Sequence, residues 1–114
     1  MQKNIKIADI LPGTKNWLTL AQGTAVYNVI RPVLDAGDVV CLDFSGHDLM
    51  VTPFLNGAVG PLFDGSFPFE SLQKVLVPHG FKDQDEEERW ERVIANAKSY
   101  YANPELHDSV NAEV

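Results

Sequence analysis

Ser45, His47 and Asp48 lie within four residues of one another and are the residue types of a hydrolytic triad. Triads are assembled from distant segments of a chain, and the Gly-x-Ser-x-Gly turn of many serine hydrolases is absent here. We therefore interpret these side chains as parts of a polar loop between a strand and a helix. A small hydrolase that uses Ser45 or His47 is the least favoured of three functional hypotheses.

Asp43 is the second candidate for chemistry, because it ends an apolar segment where ligands collect in open α/β folds. Receiver domains carry a phosphate-accepting aspartate at such a place, beside an acidic pair that holds magnesium. Here the first predicted strand is followed by the single Asp9, and residues 77–79 supply no lysine. The sequence therefore favours a structural role, in which the Asp43 carboxylate accepts hydrogen bonds from loop amides.

Metal and cofactor sites are not indicated by the sequence. His47, His79 and His107 are isolated from one another, and the single Cys41 can form neither an internal disulfide nor a cysteine cage. The glycine-rich signatures of nucleotide-binding loops are absent as well. We predict a protein that holds no metal and no cofactor.

The charge is strongly acidic, with 9 Lys and Arg against 16 Asp and Glu in 114 residues and a net charge of −7. Such a charge repels phosphate backbones and anionic membranes, which argues against nucleic acid and membrane partners. The single cysteine, the lack of an apolar run of about 20 residues and an N-terminus without a secretory pattern predict a cytoplasmic protein. Much of the acid lies in residues 83–91, which we interpret as the solvated start of a helix or as an acidic docking face. The acidic candidates are Asp83, Asp85, Glu86, Glu87 and Glu88.

Alternating strand and helix patterns predict one α/β domain over residues 1–103, followed by a polar tail over residues 104–114. The predicted sheet is small, open and mixed, with about four strands and helices packed on it. Its predicted strands are residues 3–7, 17–20, 38–44 and 72–77, the central one being apolar on both faces and the last ended by Pro78.

Three helices are predicted from caps and apolar spacing. The first begins at Thr24, is kinked by Pro32 and is closed by Gly37. The second has Thr52 as its N-cap, Pro53 in its first turn, and Gly57 and Gly60 where another backbone can approach. Because Pro61 removes a helical hydrogen bond, we expect this helix to kink or to end near Gly60. The third has a capping box of Asp83 and Glu86, an apolar stripe of Trp90, Val93, Ile94, Ala97 and Tyr101, and a stop at Asn103-Pro104.

Two consecutive stretches, VVCLDFSG at residues 39–46 and VTPFLNGAVGPL at residues 51–62, resemble a known family. They are similar to STAS-like proteins of unknown function, small bacterial and phage-associated relatives of the sulphate transporter and anti-sigma factor antagonist domain. The family pattern is a strand of the type V-x-[LV]-D-[FL]-x-G, a loop ending S-S-F and a helix of the type L-x-x-A-[FV]-G-x-L. The resemblance extends over about residues 13–101, including a proline-bearing helix at residues 29–34.

The resemblance implies a STAS-like fold and a regulatory role. In anti-sigma antagonists an ATP-binding kinase phosphorylates a serine at the start of the helix after the central strand, and this controls docking. Thr52 and Pro53 stand at the serine pair, and because Pro53 has no hydroxyl, Thr52 is the candidate phospho-acceptor. As an N-cap, its oxygen would accept from the amides of Phe54 or Leu55.

Our first hypothesis is a non-enzymatic regulatory or adaptor module that binds a cytoplasmic protein, for instance an ATP-binding, histidine-kinase-like one. The predicted binding surface is residues 45–56, with Asp43 beneath it, and its candidates are Asp43, Ser45, His47, Asp48, Thr52, Pro53 and Asn56. The alternative is an acidic inhibitor that mimics nucleic acid with residues 83–91. An open sheet also leaves edge strands, which favours a homodimer slightly.

Overall fold

A computed structural model describes residues 2–64 and 67–102. The predicted tail at residues 104–114 and the predicted helix stop at Asn103-Pro104 lie outside these residues. In chain order the elements are β1 (Gln2–Lys6), α1 (Ile7–Ile10), β2 (Asn16–Trp17), α2 (Leu20–Asp35), β3 (Val39–Asp43), β4 (Leu49–Met50), α3 (Thr52–Val59), a 3-10 turn (Gly60–Phe63), α4 (Phe69–Val75), β5 (Leu76–His79) and α5 (Gln84–Ala102).

The strands form two small parallel sheets, which confirms the predicted α/β class with a small open sheet. One sheet has the order β1-β3-β5, and the other is the two-residue pair of β2 and β4. In the larger sheet Lys6 pairs with Asp43, and Asp43 pairs with His79, so these three residues end neighbouring strands. The carboxyl edge of this sheet is therefore where the chain gathers polar side chains.

The central position of β3 confirms the prediction made from its two apolar faces. Val40 and Leu42 are fully buried, Cys41 is also buried, and Phe44 follows the strand into the core. Neighbours on both edges satisfy the backbone of β3, while α2 and α4 pack against it. The strand that leads into the candidate loop is thus fixed on every side.

Helix α2 begins four residues before the predicted start, which corrects the prediction of Thr24 as the N-cap and of a strand reaching residue 20. Thr19 is the N-cap: its hydroxyl accepts from the amide of Gln22 at 3.1 Å, and the Gln22 side chain returns a bond to the amide of Thr19 at 3.0 Å. The Thr24 hydroxyl lies within the helix and donates to the Leu20 carbonyl. The capping box decided the start, since it satisfies two amides at once.

The end of α2 agrees with the sequence. Gly37 follows the last helical residues with φ of +85°, a conformation that favours glycine. Pro32 lies inside the helix, which continues past it to Asp35 as one element.

Helices α2 and α3 cross with their backbones in contact, at a glycine on each. A Cβ on Gly57 would lie 2.5 Å from the Leu20 carbonyl oxygen, and a Cβ on Gly23 would lie 2.1 Å from the Phe54 carbonyl oxygen. This confirms the close approach predicted at Gly57. The same expectation for Gly60 is wrong, because a Cβ there would meet no atom within 4 Å; Gly60 instead begins the 3-10 turn that ends α3.

The segment predicted as a strand at residues 72–77 is helical in its first part. Helix α4 runs from Phe69 to Val75 because it can place Leu72 in the core, and β5 begins only at Leu76. Pro78 does not end β5 but lies within it, which is compatible with β5 being an edge strand that needs no outward amide donor.

Helix α5 begins as predicted, with the Asp83 carboxylate accepting from the Glu86 amide at 3.0 Å. Its predicted stripe faces inward: Trp90 and Val93 are buried, and Ile94 and Ala97 are partly buried against the core. The side chain of Tyr101 lies outside the described residues. No helix in the described ranges is both long and apolar enough to cross a membrane.

Candidate functional site

The loop between β3 and α3 carries most of the candidate residues, and the structure places them at different depths. Asp43 is half-buried at the end of β3, and His47 is buried at 8 % exposure. The side chains that remain exposed are those of Ser45, Asp48, Thr52, Pro53 and Asn56. Most candidate side chains of the loop are therefore exposed to solvent, while His47 points into the protein.

His47 joins this loop to α5 through a buried hydrogen bond. Its Nε2 lies 2.7 Å from Oε2 of Glu86, and the two side chains are 1 % and 7 % exposed. Its Nδ1 contacts the carbonyl oxygen of Phe44, which can only accept, so Nδ1 carries a proton. A second proton must lie between Nε2 and the Glu86 oxygen, because two facing acceptors would repel each other.

Glu86 is satisfied on its other oxygen as well. Its Oε1 accepts from the backbone amide of Lys82 at 2.8 Å, while its own amide donates to Asp83. In a full capping box this carboxylate would return to the amide of its own N-cap. Here the Glu86 carboxylate bonds instead to the amide of Lys82, one residue before Asp83, and to the ring of His47. Glu86 therefore connects the β5–α5 loop to the β3–α3 loop.

Trp17 forms the apolar wall behind His47. The two rings are tilted by 36° with centroids 4.5 Å apart, and the Trp17 ring also lies 5.5 Å from that of Phe54. Trp17 is fully buried, and its Nε1 has no hydrogen-bond partner in the described part of the chain. Packing against Trp17, together with the contacts of both ring nitrogens, holds the imidazole in one orientation.

Two long cations bind the backbone of the same loop. Lys82 Nζ donates to the Asp48 carbonyl at 2.9 Å, and Arg89 Nη1 donates to the Met50 carbonyl at 2.8 Å. Together with Glu86 they connect the start of α5 to three points of the loop. These bonds hold the loop backbone in place, so the positions of its exposed side chains are also fixed.

Asp43 holds the turn that opens the loop. The Ser45 amide donates to Asp43 Oδ1 at 2.9 Å, and this bond lowers the pKa of the carboxyl; burial opposes the effect, and the charges of His79 and Lys6 add to it. Gly80 packs against it with φ of +80°, and a Cβ there would lie 2.5 Å from Oδ1. Asp43 thus accepts loop amides, as the structural interpretation predicted.

Thr52 does not have the capping role expected from the sequence. Helix α3 begins at Thr52 itself, its N-cap is Val51, and no side chain caps the helix. Pro53 lies in the opening turn, as predicted, where its missing amide costs nothing. The Thr52 hydroxyl consequently makes no capping bond and lies on an exposed residue.

The exposed acidic face contains fewer side chains than the sequence predicted. Glu86 is 5 % exposed and points to His47, and the Asp83 carboxylate accepts from the backbone amide of Glu86. Asp85, Glu87 and Glu88 remain exposed. Glu86 therefore belongs to the buried side of the loop and not to an exposed surface.

Catalytic chemistry finds little support in this geometry. Both ring nitrogens of His47 are engaged by Phe44 and Glu86, and the exposed Ser45 and Asp48 make no hydrogen bond to the ring. No group of three His, Cys, Asp or Glu side chains within residues 2–64 and 67–102 could hold a metal ion. His107 lies outside these residues.

Sequence reasoning missed the residues that support the loop, namely Trp17, Lys82 and Arg89, and it assigned Glu86 to the wrong surface. The pair of His47 and Glu86 joins positions 39 residues apart, which no periodicity connects. One signal was present: Glu86 at the third helical position indicated a carboxylate directed at a loop.

A comparison with family models matches residues 22–86, more than half of the chain, to the family described as a STAS-like domain of unknown function. The matched part includes β3, the loop, α3 and the Asp83–Glu86 start of α5. No curated protein and no solved structure matches the chain significantly.

Proposed function

Because this chain belongs to the family of STAS-like domains of unknown function, we propose that it is a regulatory or adaptor module that binds a cytoplasmic protein. The proposed binding surface consists of the exposed side chains of residues 45–56, which are the predicted Ser45, Asp48, Thr52, Pro53 and Asn56 together with Leu49. The partner class is an ATP-binding, histidine-kinase-like protein. The module itself performs no catalysis in this proposal.

One observation carries the proposal: the loop is exposed at its side chains while its backbone is held by three hydrogen-bonded contacts, one of them buried. The His47 bond to Glu86 and the Lys82 and Arg89 bonds to carbonyls hold the backbone in place. A surface that is already ordered loses little conformational entropy when a partner docks, so more of the contact energy appears as affinity.

Thr52 is the proposed phospho-acceptor on this surface. In the step, Thr52 Oγ1 attacks the γ-phosphorus of ATP held by the partner, a phosphorus–oxygen bond forms, and the bond to the ADP oxygen breaks. The hydroxyl proton passes to a base of the partner, and ADP leaves. The new phosphate dianion at the first turn of α3 interacts favourably with the helix dipole and adds negative charge where a docked partner would meet the surface.

Phosphorylation is tested by incubating the protein with Mg-ATP and the ATP-binding, histidine-kinase-like proteins of its native host, followed by mass spectrometry. We expect one added phosphate, located at Thr52 and absent from Thr52→Ala. A chain that stays unmodified with every such kinase would remove the phospho-acceptor role but leave docking to be decided by binding.

Docking is tested by calorimetry with Thr52→Glu, which places a negative charge in the opening turn of α3. We expect binding to weaken about tenfold or more, because a charge facing a formed interface costs a few kcal/mol. The matched control is Gln2→Glu, which adds the same charge at the opposite edge of the sheet and should bind like the original protein. Equal affinity of Thr52→Glu, or binding that falls steeply with salt and depends on Asp85 and Glu88, would favour the acidic alternative instead.

A further inference from the structure

An apolar cavity of about 610 Å³ lies between α4, β5 and the second half of α5, away from residues 45–56. Its walls are formed by Phe63, Phe69, Leu72, Leu76, Trp90 and Ile94. Several of these are core residues with less than 10 % exposure, so the cavity floor is continuous with the hydrophobic core. We call this cavity the α4–α5 groove.

The rim of the groove carries one exposed cation, Lys98, and one exposed carboxylate, Glu91, about two helical turns before it. Lys98 Nζ lies 4.1 Å from the centroid of the Phe69 ring, where the ring face attracts it. Lys98 forms no ion pair with any residue in the described ranges. An occupant with apolar side chains and a carboxylate would fit both the walls and the rim.

We propose that residues 103–114 of this chain bind in the α4–α5 groove. The α5 wall of the groove includes Ala95, Lys98 and Ser99, which lie in the last turns before Ala102, so the segment begins beside the groove. From Ala102 back to Trp90 the helix covers roughly 18 Å at 1.5 Å per residue. An extended chain needs only about six residues for that span, so the twelve residues 103–114 are long enough to return along the whole groove.

The composition of the segment matches the groove. Its large apolar residues Leu106, Val110 and Val114 recur at a spacing of four, and Glu105, Asp108 and Glu113 lie among them. Burying Leu106 and Val110 against Phe69, Leu72 and Ile94 removes apolar surface from water on both sides of the contact. A carboxylate of the segment gives Lys98 an opposite charge that the described residues do not supply.

The proposal is tested in the full chain by methyl-labelled NMR. We expect nuclear Overhauser contacts between the Leu106 methyl groups and the methyl groups of Leu72 and Ile94. Leu106→Asp should lower the docked fraction by roughly tenfold to a hundredfold, the factor that burying one leucine contributes to an equilibrium, and the contacts should disappear. The matched control Ser109→Asp adds the same charge at a polar position and should keep them.

A second measurement uses a fluorescent dye that binds exposed apolar surface. Ending the chain at Ala102 should open the groove and raise dye binding several-fold, and Leu106→Asp should do the same. Absence of contacts in the full chain, with equal dye binding before and after truncation, would overturn the proposal. Contacts that appear only at high protein concentration would overturn it too, because they would show a second copy in the groove.

Discussion

The two halves of α5 make different kinds of contact: the first half makes hydrogen bonds to a loop, and the second half lines an apolar cavity. In the first half, Glu86 and Arg89 make hydrogen bonds to the loop at residues 45–51 and hold it in place. In the second half, Ile94 and Lys98 face α4 across an apolar cavity. Trp90 lies between the halves, packed on Phe44 and Phe81 and lining the groove.

The difference shows how polarity determines what a surface can do. Buried hydrogen bonds are directional and costly to leave unmade, so the first half holds the loop in one conformation. Apolar contacts are not directional, so the cavity beside the second half does not select one conformation of an occupant. One helix therefore lies beside both the proposed docking surface and the proposed binding groove.

The largest effect is expected from removing the buried hydrogen bond between His47 and Glu86, in the first half of α5. His47→Ala leaves the Glu86 carboxylate buried without its partner and should lower the free energy of unfolding by about 3 kcal/mol, measured by urea denaturation. His79→Ala, which removes an exposed histidine, should change it by less than about 0.5 kcal/mol.

Glu86→Gln separates the hydrogen bond from the charge. The glutamine amide can donate to a neutral His47 Nε2 while its oxygen accepts from Lys82, so we expect a cost of only about 1 kcal/mol. If His47→Ala were as mild as His79→Ala, the loop would not depend on this link.

A somewhat smaller effect is expected where α3, which carries Thr52 and Pro53, rests on α2. Gly23→Ala forces a methyl group against the Phe54 carbonyl and should cost about 1–3 kcal/mol in unfolding free energy. Gly60→Ala meets open space and should be neutral or stabilising by up to about 1 kcal/mol. Equal and small effects at the two glycines would mean that the helices are not in backbone contact.

The smallest effect concerns pH. Since the folded state lowers the pKa of Asp43, ionised Asp43 stabilises the fold above its unfolded pKa of about 3.9, and this contribution is lost as the pH falls through the folded value. Asp43→Asn keeps the acceptor for the Ser45 amide and should cost less than about 1 kcal/mol at pH 7, because solvent screens the half-buried group and its neighbours Lys6 and His79. In denaturation experiments the difference between the variant and the original should shrink as the pH falls below about 3.9; a difference that stays constant would contradict the assigned pKa direction.

Several elements could be predicted because local rules agree with the fold. The two apolar faces of residues 39–43 predicted the central strand, and the spacing of Asp83 and Glu86 predicted the start of α5. The prediction of Thr24 as an N-cap failed because Thr19 and Gln22 form a capping box five residues earlier. Local spacing shows which caps are available, and reciprocal bonding decides among them.

Other features depend on contacts that a sequence does not display. Residues 72–75 have strand-like composition but form part of α4, because the helix places Leu72 in the core. The His47–Glu86 bond and the α4–α5 groove arise from elements that are distant in the chain. They could not be predicted from residue types, since both depend on how whole helices pack.

The most direct test of the docking surface compares three forms of the protein as bait in lysate of the native host, with quantitative mass spectrometry of the captured proteins. Asn56→Arg places a bulky cation on the exposed start of α3, and Gln2→Arg places one at the opposite edge of the sheet. We expect a partner captured by the original protein and by Gln2→Arg to be lost with Asn56→Arg, all three being folded by circular dichroism. The same proteins captured by all three baits would contradict the assignment of residues 45–56 as the docking surface.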